Sequence, residues 1–188
     1  DATASAYTIT ADVFTLLPDN NAPLINAPSS MTLEAAGPDG TIATYSGSAT
    51  DDADGDVPVT FAPTSGTRFP LGSTPVTASA QDSNGNTSSI TFDVSVVDST
   101  PPVLSLPNNP SIDTNNPGGA VATFSASAQD LVSGNVEVTL TPSSGTRFAL
   151  GATTVVATAT DGVGNEATGS FIVTVRVSPW TVGVSYDV

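Results

Sequence analysis

The sequence of 188 residues contains no cysteine, no histidine and no lysine. Without cysteine, no disulfide can reinforce the fold, and thiol chemistry is excluded. The three absent side chains are also the ones that most often serve as general bases and nucleophiles. A pair of carboxylates, as in glycoside hydrolysis, is the remaining catalytic device, and it needs a cleft that a small domain with short loops rarely offers. We therefore predict that the protein is not an enzyme.

Positive charge is scarce, because three arginines stand against eighteen acidic side chains and the net charge is −15. Phosphate binding needs a basic face, so nucleic acids and anionic membrane surfaces are unfavourable partners. No apolar run approaches the ~20 residues of a membrane-spanning helix, so membrane insertion is not expected. The acidic surplus favours divalent cations, whose ligands are carboxylates and carbonyls. Alternatively, it is only the solvating surface of a secreted protein.

One long stretch of sequence occurs twice, at a spacing of 79 residues. The first copy begins at Ser65 with Ser-Gly-Thr-Arg-Phe-Pro-Leu-Gly, and the second begins at Ser144 with Ser-Gly-Thr-Arg-Phe-Ala-Leu-Gly. Each copy continues with Thr, Val, Ala, Ala, Asp, Gly and Asn at the same offsets. A period of this length indicates two copies of one domain-sized unit. The predicted divisions of the chain are an N-terminal extension (1–18), a first domain (19–97), a second domain (98–178) and a C-terminal extension (179–188).

The pattern of apolar residues predicts strands and no helices. Short alternating segments are separated by turn residues throughout the chain, which is typical of an all-β sandwich. One strand is expected over 41–49, and the alternation at Val76, Ala78 and Ala80 predicts the inward face of another. Asp82 to Asn86 contains Asn-Gly, a strong signal for a hairpin turn.

Both extensions have the pattern of strands that lie outside the repeated units. A lone strand is unstable, so each is expected to pair with another sheet. Three arrangements remain open: pairing within the chain, truncation of a longer array, or exchange between subunits by strand addition. A head-to-tail exchange that does not close would form a filament. The side chains predicted to contact a partner strand are Tyr7, Ile9, Ala11, Val13, Phe14, Leu16, Trp180, Val182, Val184 and Tyr186.

The duplicated motif resembles the hyalin repeat (HYR). The shared pattern is Ser-Gly-x-x-Phe-x-x-Gly, then Thr-x-Val-x-Ala-x-Ala-x-Asp-x-x-Gly-Asn, then Phe-x-Val-x-Val, and it covers 65–96 and 144–175. The resemblance implies two tandem immunoglobulin-like β-sandwiches with extra N- and C-terminal strands. It also implies an extracellular or cell-surface adhesion, linker or accessory module. The cysteine pair usual in that family is missing here, which removes a cross-link but leaves the fold possible.

Acidic residues recur where a sandwich of this kind would bring three segments together. In an immunoglobulin-like domain, the loop between the second and third strands, the last hairpin and the start of the domain lie at one end. We therefore predict calcium sites there, with turn capping by each aspartate as the alternative. The run from 51 to 56 also resembles the start of an EF-hand loop but lacks its terminal Glu. The predicted ligands are Asp19, Asp51, Asp52, Asp54, Asp56, Asp82, Asp98, Asp130 and Asp161.

Arg68 and Arg147 occupy the same position in the two copies of the motif. We expect each guanidinium to bond a carboxylate or loop carbonyls within its own domain. Contact with an anion or a sugar is the alternative.

Taken together, these patterns predict a secreted structural protein. It would be a self-assembling filament subunit or an adhesin stalk, with itself or neighbouring surface domains as partners and calcium as a stiffening ion. A carbohydrate- or matrix-binding accessory module, with Trp180, Tyr186 and Tyr7 as a stacking platform for a glycan, is the alternative.

Overall fold

The computed structural model describes residues 18–178. Both predicted extension strands, with all of their proposed contact residues from Tyr7 to Leu16 and from Trp180 to Tyr186, lie outside the described residues. Within the described part, all regular structure is β-strand. In that same part, no helix has the length and apolar character needed to cross a membrane.

Each repeat contributes nine strands to the described chain. Those of the first repeat are β1 (Leu24–Asn26), β2 (Met31–Glu34), β3 (Thr41–Ile42), β4 (Ser48–Asp51), β5 (Gly55–Val57), β6 (Val59–Ala62), β7 (Arg68–Phe69), β8 (Gly72–Gln81) and β9 (Thr87–Val97). Those of the second are β10 (Val103–Ser105), β11 (Ser111–Thr114), β12 (Ala120–Val121), β13 (Ser127–Asp130), β14 (Gly134–Val136), β15 (Val138–Thr141), β16 (Arg147–Phe148), β17 (Gly151–Thr160) and β18 (Glu166–Val177).

The two repeats have the same strand topology. In the first, a three-stranded sheet has the order β1-β4-β5, a four-stranded sheet the order β2-β9-β8-β6, and β3 pairs with β7. The second repeats this as β10-β13-β14, β11-β18-β17-β15 and β12-β16. Edge strand β2 runs parallel to β9 with Met31 opposite Val94, and β11 runs parallel to β18 in the equivalent register. The fold is therefore two tandem immunoglobulin-like β-sandwiches.

Alternation along the long strands fills the interior. Val76, Ala78 and Ala80 of β8 are buried, which confirms the inward face predicted from the sequence. In the second repeat, apolar residues at equivalent positions form a continuous cluster. Its members are Ala122, Phe148, Val155, Phe171, Val173 and Val175, against which Leu106, Ile112, Phe124 and Leu140 pack.

Aromatic rings meet edge to face in both repeats, a geometry that adds to the stabilisation from burial. The ring of Tyr45 lies 5.2 Å from that of Phe61 and 5.3 Å from that of Phe92. Phe124, the counterpart of Tyr45, lies 5.1 Å from Phe171. The Tyr45 hydroxyl also donates to the carbonyl of Pro63 at 2.6 Å.

The single strand predicted over 41–49 is wrong. The structure has β3 and β4 there, separated by residues without strand pairing. The strand is interrupted because the Tyr45 amide donates to the Ser65 hydroxyl at 2.8 Å instead of to a neighbouring strand. The predicted hairpin turn is confirmed, since the Asp82 amide donates to the Asn86 carbonyl between β8 and β9.

The contacts of the chain group it into two compact units. One includes residues 44–65 and 75–92, and the other includes 30–43, 66–74 and 93–178. This grouping does not follow the sequence repeat. The domain bounds 19–97 and 98–178 therefore stay a prediction.

Candidate metal centres

Three segments of the first repeat bring their acidic residues to one place. Asp51 ends β4, Asp82 follows β8 directly, and Asp19 precedes β1. One carboxylate oxygen from each of the three lies within 4.8 Å of the others. Asp51 and Asp82 are buried, with 8% and 7% of their surface exposed, and Asp19 is half-buried. We call this group the first triad.

Each aspartate of the first triad caps a turn with its Oδ1 atom, as the alternative reading of the sequence expected. A carboxylate that accepts nearby backbone amides in this way fixes the local turn. The amides that donate to Oδ1 are those of Asn21 to Asp19 (3.0 Å), Ala53 and Asp54 to Asp51 (3.0 and 3.1 Å), and Asn84 and Asn86 to Asp82 (2.9 and 2.7 Å).

The second oxygen of two of these carboxylates is not needed for the turns. The Oδ2 atoms of Asp19 and Asp51 are buried and have no hydrogen-bond donor. A buried charged oxygen without a partner is unfavourable, and native proteins rarely leave one. Turn capping therefore accounts for one oxygen of each residue but not for the other.

Asn86 joins two members of the triad. Its side-chain amide donates to Oδ2 of Asp82 at 2.6 Å and to the backbone carbonyl of Asp19 at 3.2 Å. The start of the domain is thereby fixed to the last hairpin. The sequence pattern predicts Asn86 only as a turn residue. The signal for its second role is that Asn86 follows Asp82 at the same spacing at which Asn165 follows Asp161.

The second repeat builds the same arrangement from Asp98, Asp130 and Asp161, which we call the second triad. Its carboxylate oxygens again lie within 4.8 Å of one another. The Oδ2 atoms of Asp98 and Asp130 are buried without a donor, and both Asp130 and Asp161 are 8% exposed. Asn165 donates to Oδ2 of Asp161 at 2.7 Å and to the carbonyl of Asp98 at 3.2 Å.

The carboxylates of the second triad differ in their readiness to hold a proton. Burial acts to raise the pKa of Asp161, but hydrogen bonds from Asn165, Val163 and Gly164 outweigh it and lower that pKa. The pKa of Asp82 in the first triad is lowered in the same way, because the hydrogen bonds from Asn86 oppose the effect of burial. Burial raises the pKa of Asp98, opposed by the Thr100 amide and reinforced by the neighbouring negative charges. A bound cation would reverse this rise.

Three predicted ligands lie outside the first triad. Asp52 accepts from the Asn21 side chain at 2.9 Å, and Asp54 accepts from the Ser83 amide and hydroxyl at 2.6 and 2.9 Å. Asp56 lies on β5 opposite Thr50. In the second repeat the matching positions are Leu131, Ser133 and Asn135. Their role as ligands stays a prediction.

The two arginines of the motif bond loop carbonyls. Nη1 of Arg68 donates to the carbonyl of Gly40 at 3.3 Å, and Nη1 of Arg147 donates to that of Gly119 at 3.0 Å. This matches the intradomain role expected from the sequence.

The donor set determines the chemistry that each triad can support. Its ligand atoms are carboxylate oxygens, which suit hard divalent cations such as Ca²⁺ and Mg²⁺. The triads would hold an ion with Asp19, Asp51 and Asp82 in one repeat and Asp98, Asp130 and Asp161 in the other. The unpartnered Oδ2 atoms fit that role, because a cation would satisfy them.

Comparison with known proteins identifies one family and two curated relatives, both of them Hyalin. The family model of the HYR domain matches residues 18–96 and 97–175. The chain is 35% identical to Hyalin of Lytechinus variegatus over 128 residues, which is 64% of the chain and 24% of the relative. It is 36% identical to Hyalin of Strongylocentrotus purpuratus over 112 residues, which is 57% of the chain and 9% of the relative. The chain thus spans a quarter or less of these curated relatives.

Solved structures to which the chain shows similarity include mouse Cadherin-23 EC22-24 and fibronectin(III)-like modules of Clostridium thermocellum CbhA. The first has 16% sequence identity and a TM-score of 0.34, with 85% of this chain and 66% of that chain covered. The second has 15% identity and a TM-score of 0.31, with 82% and 95% covered.

Proposed function

The chain belongs to the HYR domain family, and we propose that it works as a calcium-stiffened structural segment of an extracellular filament or adhesin stalk. Membership of this family supports the broader statement that the chain is an extracellular, non-catalytic module of the adhesion type. The proposal places the domains at 19–97 and 98–178 and one calcium ion at the start of each.

The observation that carries the proposal is the set of four buried Oδ2 atoms without donors, two in each triad. Each belongs to a carboxylate whose other oxygen already caps a turn, so the unpartnered atom is held in a fixed direction. In each triad, one oxygen from each of the three carboxylates lies within 4.8 Å of the others, and three such ligands would supply up to half of the oxygen shell that calcium requires. Backbone carbonyls and water would supply the remainder.

Calcium would stiffen the chain because each triad joins three segments. In the second triad, Asp98 lies in the linker between the repeats, while Asp130 and Asp161 end strand β13 and follow β17. An ion bound by all three would restrict the linker relative to the second domain. A tandem array built in this way would keep its extension under calcium and lose it under chelation.

Head-to-tail assembly is the further part of the proposal. The extensions 1–18 and 179–188 would add as strands to a neighbouring copy, so that the chain or its surface neighbours would be its partners. The described sheets end in short edge strands such as β2 and β6, where an added strand could pair. Deleting residues 1–18 is expected to leave soluble monomers, and unchanged assembly of that variant would refute this part.

Glycan binding is the alternative function. Within residues 18–178, every aromatic side chain is buried or half-buried, so a stacking platform would need Trp180, Tyr186 and Tyr7. Glycan-array binding that is lost in Trp180→Ala would favour it over the structural role.

Negative-stain electron microscopy with and without a calcium chelator tests the proposal as a whole. Filaments with a repeat near two domain lengths that loosen in chelator are the expected result. Rods that stay monodisperse but bend in chelator would support the stalk without the filament. Particles of equal shape and stiffness in both conditions would overturn the calcium role.

A further inference from the structure

Glu34 lies at the end of strand β2 and bonds the linker that follows the first repeat. Its Oε1 atom accepts from the Ser99 amide at 2.9 Å and the Thr100 hydroxyl at 2.8 Å, and its Oε2 atom accepts from the Ser99 hydroxyl at 2.7 Å. These three hydrogen bonds join residues that are 65 or 66 positions apart in the sequence. A charged acceptor makes each of them stronger than a neutral one would be.

The residue just before Ser99 is Asp98, which carries one of the unpartnered Oδ2 atoms. Hydrogen bonds hold the residues on both sides of Asp98 in the sequence. Before Asp98, the carbonyl of Val97 accepts from the Ala35 amide at 2.8 Å. After Asp98, Glu34 holds Ser99 and Thr100, and the Thr100 amide donates to Oδ1 of Asp98 at 3.3 Å.

From these contacts we infer that Glu34 is a positioning residue for the second triad, and that it couples ion binding there to the end of strand β2. The inference rests on the proposed calcium role and names its regulation. Glu34 does not belong to the triad. It acts by holding the linker in the one conformation that directs the Asp98 carboxylate toward Asp130 and Asp161.

The equivalent position in the second repeat supplies a contrast within the same molecule. Residue 113, which is 79 positions after Glu34, is an aspartate with a side chain one methylene shorter. There the amide of Ser178, the counterpart of Ser99, donates to the backbone carbonyl of Thr114 at 2.9 Å. The longer acid therefore belongs to the repeat whose last strand, β9, is followed directly by a predicted metal ligand, Asp98.

Two readings of Glu34 make opposite predictions for conservative variants. If it positions the linker, Glu34→Asp should weaken the site because the shorter side chain cannot reach Ser99, whereas Glu34→Gln keeps the Oε1 acceptor. If it acts only as a nearby negative charge that attracts the ion, Glu34→Asp should be harmless and Glu34→Gln should weaken the site. Asp113→Asn is the matched control at the equivalent position.

The experiment measures calcium binding to the full chain by calorimetry in an Asp51→Asn background, which isolates the second triad. We expect Glu34→Asp to weaken calcium affinity about tenfold, as is usual for residues that orient metal ligands. Glu34→Gln should lose less, and Asp113→Asn should be unchanged. Equal affinity in Glu34→Asp and its parent, or a larger loss in Glu34→Gln, would overturn the positioning role while leaving the calcium sites standing.

A second readout tests the coupling itself. Binding and local stability are reciprocal, so calcium should slow hydrogen exchange of the Ala35 and Ser99 amides. That slowing should be smaller in Glu34→Asp. Calcium binding with no change at either amide would contradict the coupling. Absence of calcium binding in the Asp51→Asn parent and in the unmodified chain would overturn the inference together with the proposed function.

Discussion

The first and second triads share the hydrogen bonds between their aspartates and a neighbouring asparagine, but the residues of the surrounding loops differ. Asn86 and Asn165 make the same pair of hydrogen bonds in their respective repeats, at distances that agree within 0.1 Å. The surrounding loops have diverged, with Asp52 matched by Leu131 and Asn84 by Val163. A turn needs only one carboxylate oxygen, yet both repeats keep a second, buried and unpartnered. The retained second oxygen indicates a requirement beyond the shape of the loop.

The largest effect on stability should come from substituting two equivalent glycines of the sandwiches rather than from substituting the triads. Gly40 and Gly119 have φ of +85° and +90°, and a Cβ on either would overlap the carbonyl oxygen of Phe69 or Phe148. Gly40→Ala and Gly119→Ala should each destabilise their repeat by about 4 kcal/mol, through overlap and strain together. Denaturant unfolding would measure both. Unequal losses would break the equivalence of the two repeats.

Gly134→Ala serves as the control for that pair. Gly134 also has a positive φ, +74°, but a Cβ there would meet nothing within 4 Å. It should cost about 1 kcal/mol, which is the conformational penalty without the overlap. A loss as large as that of Gly119→Ala would mean that strain, not the close carbonyl, dominates.

Removing one acid from each triad should have the next largest effect. Asparagine in Asp51→Asn and Asp130→Asn keeps an oxygen for the turn but loses the charge, so metal-free stability should stay the same or rise. Calcium at 100 times its Kd should stabilise a binding repeat by about 2.7 kcal/mol. Each variant should lose that gain for its own repeat only. Thermal unfolding with and without calcium would measure it, and a loss in both repeats would show that the sites are not independent.

Low pH should weaken calcium binding at the second triad, because Asp98 takes up a proton. Its pKa is raised, chiefly by burial and also by Asp130, Asp161 and Glu34. The folded chain therefore binds this proton more tightly than the unfolded chain, and metal-free stability falls as pH rises through the raised pKa. Below that pKa, calcium must displace the proton, so affinity should fall about tenfold per pH unit. Calorimetry across pH in the Asp51→Asn background would measure the decline, and a pH-independent affinity would contradict it.

Substitutions in the loops that surround the triads should have the smallest effect on calcium affinity. Leu131→Asp gives the second loop the acid that the first loop carries as Asp52. Because this position is exposed, the added charge should strengthen calcium binding by only about twofold, and the gain should disappear at high salt. Affinities at two ionic strengths would show this. A tenfold gain would indicate that an acid at this position, like Asp52 in the first loop, binds the ion directly.

Some of this arrangement follows from sequence and some does not. The period of 79 residues and the alternation around Val76 predict the repeated sandwich, and its topology predicts that Asp19, Asp51 and Asp82 converge. No pattern tells which carboxylate oxygen caps a turn and which is left over, because that depends on the backbone path of each loop.

Two further features were beyond prediction for the same reason. Glu34 meets Ser99 across 65 residues, and neither residue belongs to a periodic pattern that would connect them. The break between β3 and β4 arises because the Ser65 hydroxyl takes the Tyr45 amide. Single side-chain hydrogen bonds between distant segments are set by tertiary structure, so local propensity does not reveal them.

The number of calcium ions bound per chain would show whether the two triads are metal sites. Chelator-treated protein would be titrated with calcium by isothermal calorimetry, beside Asp51→Asn, Asp130→Asn and the double variant. We expect two ions to bind the unmodified chain, one to bind each single variant and none to bind the double variant. Absence of heat in the unmodified chain, together with an unchanged unfolding temperature, would contradict this expectation and leave the aspartates as turn caps alone.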